Sequence, residues 1–469
     1  DNNKPDLRTE WDRDGAGVPD SYNLVVNPVR LREALRASFE NIAARTSSAS
    51  NVSTNSTEVT GESMVFQATF NSRNWSGDVV ARAITASGVA AVPGWQASIA
   101  GPPWQERKLF LRTATGTVVQ LDAFSALPNS DRLLLDRALV YNYLRGERTN
   151  EIRNGGRLRD RGGVLGDIVH SSPHFDGATR TLYVGANDGM LHAFDTRDGT
   201  ELFAFIPRAS IAARSTTGPG PLPRLSDPTY SHAYFVDGDI IVAPASSLTG
   251  NQRYLYALMG RGGRGLFSLR VTDPRSFAGD AFRWEYTPAG AGTNANDPTS
   301  AAATDANLGH MLGRPVLATL ASGKLGLIVG NGYKSPSGSA VLYVFVINTD
   351  GSLDAVHTVD TKATGENGLA GPAVVDTDKD GKADLVIAGD LKGNVWKCDI
   401  SSLNPTSGKV AHGGRPMFTA TGPGAIAQPI TAPMYAAYKP VKGNKDDKQE
   451  GRLFVFFGTG SYFRAGDST

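Results

Sequence analysis

The sequence predicts an all-β fold, and within that class a β-propeller with helical and loop insertions. The 469 residues exceed an ordinary domain of ~100–200 residues, so the chain holds several domains or one large closed β fold. Its 53 glycines and 26 prolines favour many short elements joined by turns. Five glycine-centred segments of similar pattern then favour a propeller, whose blades repeat along the chain.

The composition excludes several classes of partner and site. The 47 Lys and Arg residues nearly balance the 46 Asp and Glu residues, so we expect no nucleic-acid partner. The single Cys398 excludes an intrachain disulfide and a cysteine-rich zinc site. No run approaches ~18 apolar residues, which predicts no transmembrane segment in this fragment. The first residues also lack a signal-peptide pattern, so we expect the natural N-terminus to lie further upstream.

Three regions follow from the patterns along the chain. Residues 1–25 form an N-terminal segment with a degenerate calcium-type loop, residues 26–60 an amphipathic helix and a Ser/Thr/Asn-rich linker, and residues 61–469 the propeller domain. Asn27 and Pro28 match the capping and first positions of the helix. The apolar stripe of that helix, which predicts ordinary packing, consists of Leu31, Leu35, Phe39 and Ile42.

The pattern changes from helical to extended at Met64, where apolar and polar residues begin to alternate. One helix interrupts the β region, over Ser130–Leu144, with a capping serine and an apolar face. The basic, glycine-containing run at 147–163 follows, and we expect it to be a solvated loop.

Five segments share an apolar run, a glycine, a short polar loop and a second apolar run. Their central glycines are Gly185, Gly260, Gly330, Gly389 and Gly458. Each segment predicts a hairpin whose first strand is buried between neighbouring sheets and whose glycine has a positive φ in the turn. The residues expected to be buried are Val184, Leu258, Val329, Val386 and Phe456. The alternative is a pair of β-sandwich domains, against which the repetition argues.

The strongest chemical signal is the acidic loop VVDTDKDGKADLVIAGD. Its carboxylates occupy positions 1, 3, 5 and 9 of a calcium-loop pattern, at Asp376, Asp378, Asp380 and Asp384. Gly381 provides the sharp turn at position 6, and Lys382 offers its backbone carbonyl at position 7. A flexible loop of many oxygens suits Ca²⁺ better than Mg²⁺. Calcium is therefore the predicted cofactor, and the alternative is a merely solvated acidic turn.

The loop resembles an EF-hand loop without the flanking helices. Position 12, where an EF-hand has a bidentate glutamate, is Ile387, and the residues after Asp384 have the pattern of a buried strand. We therefore expect an EF-hand-like calcium loop within one blade.

A weaker copy of this pattern lies near the start of the chain, in WDRDGAGVPD. Its candidate ligands are the carboxylates of Asp12, Asp14 and Asp20 and the carbonyl of Val18. Ala16 replaces the carboxylate at position 5, so weak metal binding and a vestigial turn both remain open.

No catalytic motif is apparent, and we predict that the chain is not an enzyme. The seven histidines are scattered, with neither an HExxH helix nor a nucleophile elbow. His170 and His174 are four residues apart, but the proline between them favours a packing or loop role over metal binding.

Several longer segments resemble the C-terminal region of the PilY/PilC family of tip-associated adhesins and biogenesis factors of type IV pili. The segments are NPVRLREALRASFENIAARTSS, MVFQATFNSRNWSGDVVA, YNYLRGER, LGDIVHSSP, LYVGANDGMLHAFD, DTDKDGKADLVIAGDLKGNVWKCDI and FFGTGSYF. The resemblance implies a modified seven-bladed propeller, with the family's calcium ligands at Asp376, Asp378, Asp380, Lys382 and Asp384. It also implies that closing strands are missing after Thr469.

In function, the resemblance implies an exported bacterial protein at the pilus tip, cell surface or outer membrane. The implied partners are type IV pilus components such as minor pilins, and a host or abiotic surface. The implied role is calcium-dependent control of pilus extension and retraction, twitching motility, adhesion and virulence.

The alternative function is a periplasmic quinoprotein-like dehydrogenase, because LYVGANDGMLHAFDTRDGTELF also resembles a blade of those propellers. Against it, one cysteine cannot form the vicinal disulfide that many of those enzymes use, and the acidic loop lies within one blade. A visible absorbance spectrum of the purified protein separates the two functions.

Overall fold

The structure, a computed structural model, describes residues 48–54, 63–85, 87–212, 220–292, 294, 296–402, 409–438 and 453–461. The segment 1–25 and the helix predicted after Asn27 lie outside these residues. The division into three regions therefore stays a prediction. Within the predicted linker, residues 48–54 form a strand because they pair antiparallel with the strand that begins at Met64.

The described residues form six β-sheets that follow one another along the chain. Sheet 1 contains β1 (Ser48–Thr54), β2 (Met64–Asn71), β3 (Ser76–Thr85), β4 (Gly88–Val89) and β5 (Trp95–Gln96), in the order β1-β2-β3-β4 with β5 on β3. Sheet 2 contains β6 (Leu109–Arg112), β7 (Val118–Gln120), β8 (His174–Asp176), β9 (Thr181–Gly185), β10 (Leu191–Asp195) and β11 (Glu201–Ile206), in the order β7-β6-β11-β10-β9-β8.

Sheets 3 and 4 are simple four-stranded antiparallel meanders. Sheet 3 contains β12 (Ile240–Ala243), β13 (Tyr254–Leu258), β14 (Leu266–Arg270) and β15 (Phe282–Tyr286). Sheet 4 contains β16 (Val316–Thr319), β17 (Leu325–Gly330), β18 (Val341–Ile347) and β19 (Leu353–Asp360).

Sheets 5 and 6 complete the described part of the chain. Sheet 5 contains β20 (Ala373–Val375), β21 (Leu385–Gly389), β22 (Asn394–Asp399), β23 (Lys409–Val410) and β24 (Phe418–Thr419), in the order β20-β21-β22-β23 with β24 on β22. Sheet 6 contains β25 (Tyr435–Tyr438) and β26 (Leu453–Phe456).

Each sheet packs face to face on the next one in the chain. Sheets 1 and 2 share a core that includes Phe66 and Val184, and Phe205 of sheet 2 meets Phe267 of sheet 3 at 5.3 Å between ring centroids. Equivalent apolar cores join sheets 3 and 4, sheets 4 and 5, and sheets 5 and 6. This sequential packing is the arrangement of propeller blades and confirms the predicted all-β class. The count of seven blades stays a prediction.

Four of the five predicted hairpins are confirmed, as β9–β10, β13–β14, β17–β18 and β21–β22. Val184, Leu258, Val329 and Val386 are all fully buried in them, as predicted. The expectation for Phe456 is wrong, because this side chain is 56% exposed. Strand β26 pairs with the preceding β25, and only one face of the sheet that they form packs on sheet 5.

The predicted role of the hairpin glycines is largely wrong. Gly260 has a positive φ of 56°, but the left-handed position in the β9–β10 turn is Gly189, with φ +95°, rather than Gly185. Glycine is instead required at position 185 because the backbone of Val236 lies close to it: a Cβ there would be 2.4 Å from the Val236 carbonyl oxygen. That carbonyl precedes sheet 3, so the glycine permits two blades to approach each other closely.

Four short right-handed α-helices lie among the described residues, and a fifth helical segment, Ala411–Gly414, contains left-handed φ at His412 and Gly413. The four right-handed helices are α1 (Ala97–Ala100), α2 (Asn129–Leu134), α3 (Ala138–Arg145) and α4 (Arg208–Ile211). The helix predicted over Ser130–Leu144 is therefore present as two pieces, α2 and α3. The break between them includes Asp136, whose φ of +66° does not continue a right-handed helix.

The basic run at 147–163 is only in part the solvated loop that its composition predicts. Glu151 is fully buried and accepts a hydrogen bond from Nε of Arg161 at 2.9 Å, while Arg148 also pairs with it. The Arg161 guanidinium lies 3.7 Å from the ring centroid of Tyr143. Glu151, Leu158 and Arg161 are buried within the run, and the Glu151 carboxylate compensates the surrounding guanidinium groups. The other residues of the run are exposed or half-buried.

Candidate metal site in the Asp376–Asp384 loop

The acidic loop joins β20 to β21 in sheet 5. It reverses direction through two left-handed residues, Lys379 with φ +62° and Gly381 with φ +85°. A side chain at position 381 would meet no atom within 4 Å, so the backbone conformation, and not a lack of space, favours glycine there. This is the sharp turn expected at position 6 of the loop.

Three of the four predicted carboxylates converge. One oxygen from each of Asp376, Asp378 and Asp384 lies within 4.8 Å of the others. Asp376 Oδ2 accepts the backbone N–H of Gly381 at 2.8 Å. Asp384 Oδ2 accepts two bonds from Thr377, from its N–H at 2.7 Å and its hydroxyl at 2.6 Å. These bonds hold the carboxylates together although their negative charges repel one another.

The residues in this loop fit a hard divalent cation. Oδ1 of Asp376 is buried and has no hydrogen-bond partner among the described residues, which ordinarily costs about 1–3 kcal/mol and more for a charged group. A cation between the three carboxylates satisfies this oxygen and cancels the repulsion. Ca²⁺ takes six to eight oxygen ligands in flexible geometry, as a loop of this kind can supply.

Asp380, the fourth predicted carboxylate, does not belong to this group of three. It accepts a hydrogen bond from the backbone N–H of Lys382 at 2.8 Å, and it pairs with the Lys382 Nζ at 3.0 Å. The hydrogen bonds from Lys382 lower the pKa of the Asp380 carboxyl, and the bond to Asp380 raises the pKa of the Lys382 ammonium. The Lys382 ammonium thus pairs with Asp380, the carboxylate that the sequence assigns to the metal.

The C-terminal end of the loop is fixed to two sheets. Within sheet 5, the N–H of Asp384 donates to the carbonyl of Val375 at 3.0 Å. The N–H of Ala383 donates to the carbonyl of Thr319, at the end of β16 in sheet 4, at 2.8 Å. Ala383 is buried in the core between sheets 4 and 5 with Leu320. The order of the loop is therefore coupled to the contact between two blades.

The other metal candidates do not add to this site. Asp12, Asp14, Val18 and Asp20 lie outside the described residues, so the weaker loop stays a prediction. His170 bonds through Nδ1 to Asp237 at 2.7 Å, and His174 begins β8. Burial lowers the pKa of His174 to about 4, helped by the charge of Arg314. The two histidines belong to no metal-ligating group among the described residues.

Sequence patterns missed a buried ionic cluster in sheet 2. Arg107 donates from Nε and Nη2 to both carboxylate oxygens of Glu201, at 2.6 and 2.8 Å. His192, which is fully buried, bonds to Glu201 at 2.7 Å and to Asp188 at 3.1 Å. The available signal was the presence of a histidine and a glutamate in the apolar strands LHAFD and ELFAFI, since unpaired charges are rarely buried.

Comparison with known proteins gives the family. The family model of the PilY1 β-propeller domain matches residues 169–469. The chain belongs to the PilY1 family. The resemblance to PilY/PilC proteins seen in the sequence is thereby confirmed, as is the propeller fold.

The curated relatives in the PilY1 family are much longer than this chain. A type IV pilus biogenesis factor PilY1 homolog of Xylella fastidiosa is 32% identical over 94% of the chain and 34% of its own length. The type IV pilus biogenesis factor PilY1 of Pseudomonas aeruginosa strain UCBPP-PA14 is 29% identical over 98% of the chain and 42% of its own length. The chain thus spans less than half of each.

A solved structure from the PilY1 family also matches. The crystal structure of the Pseudomonas aeruginosa PilY1 C-terminal domain is 32% identical, with a TM-score of 0.44, and the match covers 62% of this chain and 54% of that one. Across the described part of the present chain, no helix has both the length and the apolar character needed to cross a membrane.

Replacing Lys382 with alanine is expected to raise the calcium affinity of this PilY1-family loop by about two- to fivefold, the range of an exposed ion pair. The substitution keeps the backbone carbonyl at position 7 but removes the ammonium that pairs with Asp380. Calorimetric titration of calcium into both proteins measures the change. Lys392→Ala is a control, because its ammonium bonds to the Thr364 carbonyl outside the loop. Unchanged or weaker binding by Lys382→Ala would refute competition by the ammonium.

Proposed function

We propose that this chain is the calcium-binding propeller of a type IV pilus biogenesis factor and tip-associated adhesin. Membership of the PilY1 family supports the pilus role, since the relatives carry that name. The observation that carries the calcium role is the convergence of three carboxylates, one of which, Asp376, has a buried Oδ1 without a hydrogen-bond partner among the described residues.

Asp376, Asp378 and Asp384 hold the ion, and the Lys382 carbonyl and the Asp380 carboxylate complete its ligands. Calcium supplies the positive charge that cancels repulsion between the carboxylates. Asp384 anchors one end of the loop to β20, and Ala383 links it to sheet 4. The loaded loop is then a fixed surface at the boundary of two blades.

A partner that prefers the ordered loop binds the calcium-loaded protein better, because ligands that favour the same state strengthen each other's binding. For a pilus factor, that partner is another component of the machinery, such as a minor pilin, or a host or abiotic surface. Calcium occupancy would thereby bias pilus extension against retraction, and with it twitching motility, adhesion and virulence. The protein acts at the pilus tip, cell surface or outer membrane through binding and assembly, without a catalytic step.

Twitching motility and surface piliation test this function in cells that produce the full-length protein. Asp376→Ala and Asp384→Ala are expected to change both, because each removes a carboxylate from the group of three. Asp350→Ala is a matched control: it also removes an aspartate that bonds within a turn, between β18 and β19, but lies outside this group. The abundance of each variant is compared by immunoblotting.

The result that contradicts the proposal is normal piliation, motility and adhesion in variants that have lost calcium binding at normal abundance. The loop would then only stabilise the structure. A phenotype equally strong in Asp350→Ala would also contradict it, since general damage to the blades would explain the change.

A further inference from the structure

A cavity of about 460 Å³ lies between sheets 2, 3 and 4 and shares no lining residue with the acidic loop. The β6–β7 turn, strand β15 and the β18–β19 turn contribute its walls. A volume of this size is within the ~300–1,000 Å³ of small-molecule sites. The lining is mainly polar and includes three arginines, Arg112, Arg208 and Arg283.

Arg112 is buried at this cavity but only partly paired. Its Nη1 donates to Glu285 at 3.2 Å and to the carbonyl of Gly290 at 2.7 Å, and its guanidinium lies 4.8 Å from the Phe282 ring centroid. The whole residue is only 8% exposed, and its buried Nε has no hydrogen-bond partner in the part of the chain that the structure describes. A buried guanidinium donor without an acceptor is unfavourable and needs a partner.

Other arginines in this protein show what this donor pairs with. Arg107, Arg197 and Arg253 each use Nε and Nη2 together to bind both oxygens of one carboxylate. No carboxylate of a described residue binds the same edge of Arg112. This edge matches the paired oxygens of an oxyanion.

The charges around the cavity select the kind of anion. Glu285 is fully buried and balances Arg112, and Asp131 pairs with Arg208 at 2.6 Å. Arg283 and Asp297 add one charge of each sign to the lining. Since these formal charges cancel, a ligand with a single negative charge is favoured over a polyanion.

Hydroxyl groups and carboxylate oxygens line the rest of the cavity. The hydroxyls of Thr115 and Thr117 lie beside that of Thr113, at 2.9 and 2.8 Å from it. Asp297 bonds to Thr299 through Oδ1 alone, so its Oδ2 can accept from a ligand hydroxyl. We propose that this cavity binds a carboxylated sugar, with the carboxylate on the Nε and Nη2 edge of Arg112 and the sugar hydroxyls on the threonine and Asp297 side.

Titration of the whole chain with glucuronate, and with glucose as the neutral sugar of the same ring size, tests the proposal by calorimetry or ligand-observed NMR. Glucuronate is expected to bind about tenfold or more tightly than glucose, the effect of hydrogen bonds to a charged group. Arg112→Lys keeps the charge beside Glu285 but cannot offer the paired donors, so we expect at least about a tenfold loss. Arg197→Lys is the matched control, since its partner Asp195 lies outside the cavity.

Thr115→Trp provides a second variant that leaves Arg112 and Glu285 in place and fills the cavity with a larger side chain from an exposed position. Loss of glucuronate binding in this variant, with an unchanged circular dichroism spectrum, supports the site even if Arg112→Lys fails to fold. Equal binding of glucose and glucuronate would overturn the proposal. So would no binding of glucuronate at about 10 mM, ten times a weak Kd of ~1 mM, or unchanged binding in Thr115→Trp.

Discussion

Replacing Asp376 with alanine is expected to lower the calcium affinity of this chain by roughly a hundredfold or more, because the number of charged ligands sets the affinity of a calcium loop. Asp376 contributes the only buried carboxylate oxygen without a partner in the loop, and its other oxygen fixes Gly381. Calorimetric titration measures the loss. The blades are expected to keep their fold, since their apolar cores do not include this side chain.

Two further variants show whether the loss is specific. Asp380→Ala is also expected to weaken binding by orders of magnitude if Asp380 leaves Lys382 to bind the ion. Asp14→Ala, in the weaker loop, is expected to matter far less. Equal calorimetric losses for Asp376→Ala and the turn control Asp350→Ala would contradict the assignment of the ligands.

Replacing Glu201 with alanine is expected to lower the free energy of unfolding by about 3–5 kcal/mol, as when one partner of a buried ion pair is removed. The carboxylate joins Arg107 and His192, and its loss leaves both groups buried without it. Chemical denaturation measures the change. Asp198→Ala is the control, because Asp198 accepts a hydrogen bond from the N–H of Thr200 in an exposed turn outside the cluster. A similar small effect for both variants would refute the importance of the cluster.

The same cluster predicts how stability depends on pH. Burial alone would lower the pKa of His192, but Asp188 and Glu201 outweigh it and raise that pKa to about 9. The unfolded chain has a histidine pKa near ~6.5, so below this pH the folded and unfolded states both carry the proton and the stabilisation is complete. As the pH rises from about 6.5 to about 9, the free energy of unfolding falls by about 3 kcal/mol, because the folded state must release a tightly held proton.

Denaturation curves at pH 6.5 and pH 9 measure this loss. In Glu201→Ala the difference between the two pH values is expected to shrink, since one of the two carboxylates that raise the pKa of His192 is gone. On the acid side, burial would raise the pKa of Glu201, but Arg107 and His192 lower it below its usual range. The stabilisation by Glu201 is therefore lost progressively as the pH falls below the ordinary glutamate pKa of ~4.3. Equal stability of the unmodified protein at pH 6.5 and 9 would contradict the charged state of His192.

Sequence patterns predicted the structural features that depend on residues close together in the chain. The apolar runs ending at Gly185 and Gly389 predicted buried strands, and the spacing of Asp376, Asp378 and Asp384 predicted carboxylates that converge in one loop. These features are local, because strand alternation and turn geometry set them within about ten residues.

Contacts between residues that are far apart in the sequence could not be predicted from such local patterns. The partner of Glu201 lies 94 residues away at Arg107, and the backbone that approaches Gly185 belongs to the next blade. Burial of Glu151 depends on arginines that composition alone assigned to a solvated loop. The pairing of Asp380 with Lys382 was also missed, because the loop pattern assigns both residues to the metal and cannot show that they bind each other.

A crystal structure of this chain grown with calcium tests the metal site most directly. We expect one ion held by the carboxylates of Asp376, Asp378 and Asp384 and the carbonyl of Lys382, with the Asp380 carboxylate turned from the Lys382 ammonium towards the ion. A loop without an ion at saturating calcium, with Asp380 still paired to Lys382, would contradict the calcium site and the regulation proposed from it.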